Sequence, residues 1–182
     1  MFVSLNIHQL TLEREVARQR TFFSVKAGMV CNMADSISKK EQNEWQGAAA
    51  ELAGCIGLNG RFRPRFRTDK KQKKEPDFDI WTVDGLVSVD VKSTTAHPGH
   101  LLIPYGQAIP SDILVFVRID WPCFYELAGW YGTREFERDS KIKEFAGHHR
   151  PAPCIPASEL WPIENLLAAL APWPDGKGGM GQ

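Results

Sequence analysis

The hydrophobic and polar positions first follow the period of a helix. A helix is predicted from Ser36 or Ser38 to Gly57, because serine is a good N-cap and the run that follows is rich in helix-forming residues. Its apolar positions recur at the spacing of one helix face and are expected to face the core: Trp45, Ala48, Ala49, Leu52 and Ile56. The glycines and asparagine of 57–60 are typical of a helix end.

After residue 60 the pattern changes to the period of a strand. The runs 76–83 and 86–93 predict two strands joined by Asp84-Gly85, a favoured two-residue hairpin turn. Further strands are predicted at 100–104, 112–120 and 123–131. The run 150–156 is interpreted as a loop and 158–170 as a short helix. Together these elements predict an α/β fold.

The chain divides into three parts. The 182 residues suit one domain, which we place at 35–165. Residues 1–34 are interpreted as an N-terminal extension with a helical fragment at 11–20. Residues 166–182 are rich in proline and glycine and are predicted to form a disordered tail.

Composition narrows the class of protein. Hydrophobic residues make up 43% and charged residues 24%, which is ordinary for a globular protein. No apolar run is long enough to cross a membrane, and the start lacks the pattern of a signal peptide. The four cysteines lie far apart with no CxxC pair, which argues against a zinc or redox motif: Cys31, Cys55, Cys123 and Cys154. We therefore expect a cytoplasmic protein without a membrane partner.

The charge is unevenly distributed although the formal net charge is zero. The segment 61–74 carries eight basic residues and a single acid, Asp69. Cations of this kind bind nucleic-acid phosphates without specifying sequence, although a solvated loop is the alternative. The candidate phosphate contacts are Arg61, Arg63, Arg65, Arg67, Lys70, Lys71, Lys73 and Lys74. Ser93 and Thr94 could also donate to phosphate, or could simply cap their strand.

The hairpin brings acidic residues together. With Asp84-Gly85 as the turn, Asp79 lies opposite Asp90, with Cβ atoms about 4.5–5.5 Å apart. Two carboxylates at that distance repel each other unless a cation lies between them. Asp79, Asp90 and the backbone carbonyl of Val91 are oxygen ligands that suit Mg²⁺. Lys92, on the same face, could orient or deprotonate an attacking water. The alternative is a solvated sheet face with cross-strand ion pairs.

These residues also resemble a known family. Pro76-Asp77-Phe78-Asp79, followed after a hairpin by Asp90-Val91-Lys92, resembles the PD-(D/E)xK nuclease superfamily, over about residues 36–161. The resemblance, which is to small phage-encoded or defence-associated members, implies a restriction-endonuclease-like core with a mixed central β-sheet flanked by helices. It also implies an endonuclease that hydrolyses DNA with Mg²⁺, for which Mn²⁺ substitutes, and that acts in the cytoplasm of a bacterial host if it is phage-encoded.

Several assignments stay open. The name of the motif points to Asp77 as the first catalytic acid, whereas the expected strand register favours Asp79. The third acid of the family comes from the preceding helix, where Glu44 and Glu51 share nearly one face and the resemblance favours Glu51. Other functions compatible with the chain are a non-catalytic nucleic-acid-binding module and an RNA-directed nuclease. A homodimer is plausible, since enzymes with one site per chain often pair to cut both strands.

Overall fold

The predicted helix and most predicted strands form in the computed structural model, which describes residues 1–26, 37–62, 75–120, 124–145 and 150–176. In chain order the elements are β1 (Phe2–Ser4), α1 (Ile7–Lys26), α2 (Ile37–Gly57), β2 (Arg61–Phe62), β3 (Phe78–Thr82), β4 (Gly85–Thr94), β5 (His100–Leu102), β6 (Ile113–Asp120), β7 (Phe124–Gly132), α3 (Thr133–Asp139), β8 (Lys141–Lys143), β9 (Ala152–Pro156) and α4 (Ile163–Ala169). A short 3-10 helix, Ala157–Glu159, precedes α4.

The strands form two sheets. The larger has six strands in the order β1-β7-β6-β4-β3-β2, and the smaller has three in the order β5-β9-β8. In the larger sheet β4 and β6 are parallel, whereas the other neighbours are antiparallel. The sheet is therefore mixed, and the α/β class is confirmed.

The core lies on both faces of β6. Alternate residues from Ile113 to Ile119 pack with α2 in one buried cluster, while Leu114 and Phe116 join a second cluster that includes Phe136. Burial on both faces explains why this strand is an almost unbroken apolar run. On the α2 side the helix lies close to the sheet: a Cβ on Gly54 would come within 3.2 Å of Val91.

The two ends of the chain pack against the same unit. Strand β1 pairs with β7, and Val3 and Leu5 join the core beneath α2, although 1–34 was interpreted as an extension. At the other end Trp173 is 7% exposed, and the Ala171 amide donates to the carbonyl of Trp81 at 2.9 Å. Residues 166–176 thus belong to the folded unit, in contrast to the disordered tail predicted at 166–182, of which 177–182 lies outside the described residues.

The prolines around residue 153 do not prevent this part of the chain from forming a strand. The run 150–156, expected to be a loop, contains β9, which is the central strand of the smaller sheet. Pro153 pairs with Ile142 and Pro156 with His100.

Helix α3 was not predicted. Within the described ranges no helix is long and apolar enough to cross a membrane. Cys55 and Cys154 are free thiols and are buried, whereas Cys31 and Cys123 fall outside the described residues.

The hairpin turn differs from the predicted one. Thr82 pairs with Gly85, so the turn residues are Val83 and Asp84, and the register is two residues away from the expected one. The Thr82 hydroxyl explains the position of the turn, because it donates to the Gly85 carbonyl at 3.0 Å and accepts from the Asp84 amide at 3.3 Å. Gly85 has a φ of +118°, which few other residues adopt.

We expect Thr82→Val to destabilise the protein by about 1 kcal/mol, because valine keeps the shape but leaves the two turn groups without the hydroxyl. Urea unfolding of both variants measures the effect. Thr82→Ser, which keeps the hydroxyl, is the matched control and should retain most of the stability. Equal losses in the two variants would show that packing of the methyl group, and not the hydroxyl, fixes the turn.

Candidate metal centre

The observed register takes Asp79 away from Asp90, and side-chain contacts bring Asp77 to it instead. The β3–β4 ladder begins at Phe78, which pairs with Val89, and Asp79 lies opposite Ser88. The Asp77 amide donates to the Val89 carbonyl at 2.8 Å, and its carboxylate accepts from the Val91 amide at 2.7 Å. The predicted pairing of Asp79 with Asp90 is therefore wrong.

The two aspartates are held where water has little access. The Asp90 side chain is 2% exposed, and Asp77 is half-buried. Burial raises the pKa of the Asp77 carboxyl well above its ordinary range, and the charges of Glu51 and Asp90 raise it further. Lys92 and the hydrogen bond from Val91 act in the opposite direction. The charges of two neighbouring carboxylates thus oppose ionisation of Asp77.

Lys92 supplies positive charge at the same place. Its ammonium group forms an ion pair with Asp90 and lies 3.3 Å from the backbone carbonyl oxygen of Val91. The side chain is 18% exposed. The ammonium thus contacts two oxygens that the sequence analysis assigned to a metal ion.

Helix α2 provides the nearby third acid. Glu51 is the strongest charged influence on the pKa of Asp77, and Glu44 is not among the groups that shift it. The close approach of α2 to β4 at Gly54 explains why this part of the helix acts on the hairpin. The structure therefore associates Glu51 with the Asp77–Asp90 pair.

The oxygen donors in place suit a small hard cation. Among the residues that the structure describes, no group of three or more His, Cys, Asp or Glu side chains is arranged to hold a metal ion. The donors close together are the carboxylates of Asp77 and Asp90 and the carbonyl of Val91. Mg²⁺ usually binds through one or two carboxylates and keeps several waters, so this oxygen set fits Mg²⁺.

The predicted phosphate contacts are only partly described. Arg61 lies opposite Asp79, with its guanidinium carbon 3.8 Å from the ring centre of Trp173, and it forms an ion pair with Asp175. Ser93 is exposed, and the Thr94 hydroxyl accepts from the Ala96 amide at 3.0 Å. The remaining predicted contacts lie outside the described residues: Arg63, Arg65, Arg67, Lys70, Lys71, Lys73 and Lys74.

Sequence reasoning missed a contact that fixes the strand next to the site. The Asp112 carboxylate accepts from the amide of Ser88 at 2.9 Å and from its hydroxyl at 2.6 Å, and these bonds lower the pKa of Asp112. The Asp112 amide returns a hydrogen bond to the Ser88 hydroxyl oxygen at 3.0 Å. The pair anchors the start of β6 beside β4. An aspartate directly before a buried strand is the available signal, but its partner depends on the parallel pairing.

We expect Asp77→Asn to stabilise the metal-free protein by about 1–2 kcal/mol at neutral pH, because it removes a buried, repelled carboxylate and keeps an acceptor for Val91. The unfolded state loses the Asp77 proton near pH 3.9, whereas the native state keeps it to higher pH. Wild-type stability therefore falls as the pH rises from about 4, relative to the variant. Thermal unfolding in a chelator between about pH 4 and pH 8 measures this. Asp79→Asn is the control, and a gain that does not grow with pH would contradict the assignment.

Comparison with known proteins does not extend this description. No protein-family model matches the chain, no curated protein matches it, and no solved structure matches its fold. The candidate site is thus assigned from the residues of this chain alone.

Proposed function

We propose that the protein is a Mg²⁺-dependent endonuclease of the PD-(D/E)xK type that hydrolyses DNA phosphodiester bonds. One observation carries the proposal: Asp77 lies close to the buried Asp90, next to the Val91 carbonyl and Lys92. Carboxylates in such a place repel each other, so a divalent cation would relieve the repulsion. This is an arrangement expected of a site that binds a metal.

Each residue has a distinct role in the proposal. Asp77, Asp90 and the Val91 carbonyl would hold the cation, with Glu51 contributing charge from α2. When bound, the cation supplies positive charge that stabilises the phosphate during attack by water. Lys92, whose ammonium pairs with Asp90, would orient the attacking water and donate to the phosphate oxygens. Asp79, which the sequence analysis favoured as a ligand, has no part in this set.

The order of elements also supports a restriction-endonuclease-like core. An acid-bearing helix, α2, precedes the β3–β4 hairpin that carries both halves of the motif, and the sheet that contains the hairpin is mixed. Between the parallel strands β4 and β6 the chain also forms β5, which belongs to the smaller sheet and not to the mixed one.

The first test compares two aspartates that lie two residues apart, Asp77 directly before β3 and Asp79 within it. We expect Asp77→Asn to lose Mn²⁺ binding measured by calorimetry, together with cleavage of plasmid DNA in Mg²⁺. Loss of one ligand carboxylate usually weakens metal binding by at least about tenfold. Asp79→Asn, the matched control, should bind Mn²⁺ with nearly wild-type affinity, because Asp79 lies opposite Ser88.

Two outcomes would contradict this test. If Asp79→Asn loses the metal and Asp77→Asn keeps it, the ligand assignment is wrong. If wild-type protein binds no Mn²⁺, the metal site itself is wrong. A protein that binds Mn²⁺ and DNA but cuts neither DNA nor RNA would instead be a binding module, and cleavage of RNA alone would change the substrate class.

The second test separates Lys92 from the metal ligands. We expect Lys92→Met to lower cleavage by about 10³-fold or more, because it removes the group that acts on water and phosphate. Mn²⁺ binding should persist or become tighter, since the ammonium no longer occupies Asp90 and Val91. Plasmid cleavage and calorimetry measure the two quantities on the same preparation. Cleavage at the wild-type rate would remove Lys92 from the mechanism.

A further inference from the structure

The C-terminal segment 169–176 covers the part of the β3 edge that β2 leaves open. Strand β2 pairs with Phe78 and Asp79 only, whereas Leu170 bridges to Thr82 and the Ala171 amide donates to Trp81. The following residues, Trp173-Pro-Asp-Gly176, form a tight turn in which the Gly176 amide donates to the Trp173 carbonyl at 3.0 Å. Proline, aspartate and glycine in this order are typical of such a turn.

Two side chains of this turn, those of Trp173 and Asp175, contact the guanidinium of Arg61. Trp173 is nearly buried, its indole N–H donates to the Asn59 carbonyl at 2.9 Å, and its ring lies 3.8 Å from the guanidinium carbon. Asp175, on the same turn, forms an ion pair with the guanidinium. Both members of the ion pair keep solvent exposure, 36% for Arg61 and 47% for Asp175. The backbone before Arg61 is also fixed, because a Cβ on Gly60 would come within 2.6 Å of Phe78.

The two contacts have opposite chemical consequences. A ring that stacks on a guanidinium holds its plane and leaves the N–H groups at its edge directed outward. A carboxylate, in contrast, binds the same N–H groups that a phosphate would use. Stacking by Trp173 therefore presents Arg61 to an anion, whereas pairing with Asp175 competes with that anion.

Arg61 lies on the face of the sheet that carries the candidate metal centre. It is directly opposite Asp79, which in turn lies opposite Ser88 and so shares its face with Asp90. Its backbone is thus one strand across, about 4.8 Å, and two residues along, about 7 Å, from that of Asp77. An anion bound by Arg61 would therefore lie on the same face of the sheet as Asp90.

We propose that Trp173 and Asp175 make the C-terminal turn part of the nucleic-acid interface: Trp173 positions Arg61 for a backbone phosphate, and Asp175 holds the guanidinium until that phosphate displaces it. The proposal rests on the proposed function, because the phosphate belongs to the nucleic acid cut at the neighbouring site. Trp173 is a positioning residue and contacts the substrate through Arg61.

The test is binding of a short fluorescent DNA duplex to the full-length protein in EDTA, where no cleavage occurs, followed by anisotropy over a range of salt concentrations. We expect Trp173→Leu and Arg61→Ala each to weaken binding by about three- to tenfold and to lower the salt slope by about one. Asp175→Asn should act in the opposite direction and tighten binding by about two- to fivefold, the range of an exposed ion pair.

Controls separate this effect from folding and from overall charge. Trp173→Phe keeps a stacking ring and should bind DNA with nearly wild-type affinity, whereas a purely structural role for the indole N–H would leave it as weak as Trp173→Leu. Asp120→Asn removes one exposed acid from the far end of β6 and should change binding by much less than Asp175→Asn. In the Arg61→Ala background, Asp175→Asn should give no gain.

The outcomes distinguish this proposal from the proposed function. If wild-type protein binds and cuts DNA but Asp175→Asn and Trp173→Leu bind like Asp120→Asn, only the role of the turn is overturned. A gain from Asp175→Asn that persists in the Arg61→Ala background would also overturn it. If wild-type protein binds no nucleic acid in any form, the proposed function and the role of the turn fail together.

Discussion

The structure depends on one electrostatic constraint, the placement of the half-buried Asp77 carboxylate close to the buried carboxylate of Asp90. The β3–β4 register sets their proximity, and α2 brings the charge of Glu51 close enough to raise the pKa of Asp77 further. Two buried like charges are unfavourable unless a cation compensates them. Within the described ranges, the Lys92 ammonium supplies positive charge at Asp90. The carboxylates of the hairpin thus favour the presence of a cation, and their mutual repulsion lowers the stability of the hairpin itself.

The rest of the fold holds this unfavourable arrangement in place. Strand β4 lies between the hairpin partner β3 and the doubly buried β6, and the Ser88–Asp112 contact fixes where β6 starts. Thr82 fixes the turn of the β3–β4 hairpin and, with it, the pairing of these two strands. A slip of β3 along β4 that would move the aspartates apart is therefore opposed. Packing energy in the core therefore maintains the strained charges.

The sequence predicted which residues share a face, but not which residues face each other. Alternation placed Asp77, Asp79, Asp90 and Lys92 on one side of the hairpin, and two registers that differ by two residues give the same alternation. The choice between them depends on a side-chain hydrogen bond at Thr82, which hydrophobic patterning does not reveal. Strand β9 was missed for a related reason: Pro153 and Pro156 argue against a strand, whereas tertiary pairing in the smaller sheet overrides that preference.

The C-terminal turn shows how local and tertiary signals combine. Trp-Pro-Asp-Gly is a turn signal that can be read from sequence, yet a tail rich in proline and glycine was more readily interpreted as disordered. What decides the outcome is the edge of β3, where Trp81 and Thr82 leave backbone groups that the segment 169–171 satisfies. An open strand edge favours such cover. Once the segment lies there, Trp173 and Asp175 meet Arg61 on the face of the two aspartates. The interaction that completes the sheet therefore also sets the charge of the surface beside the candidate metal centre.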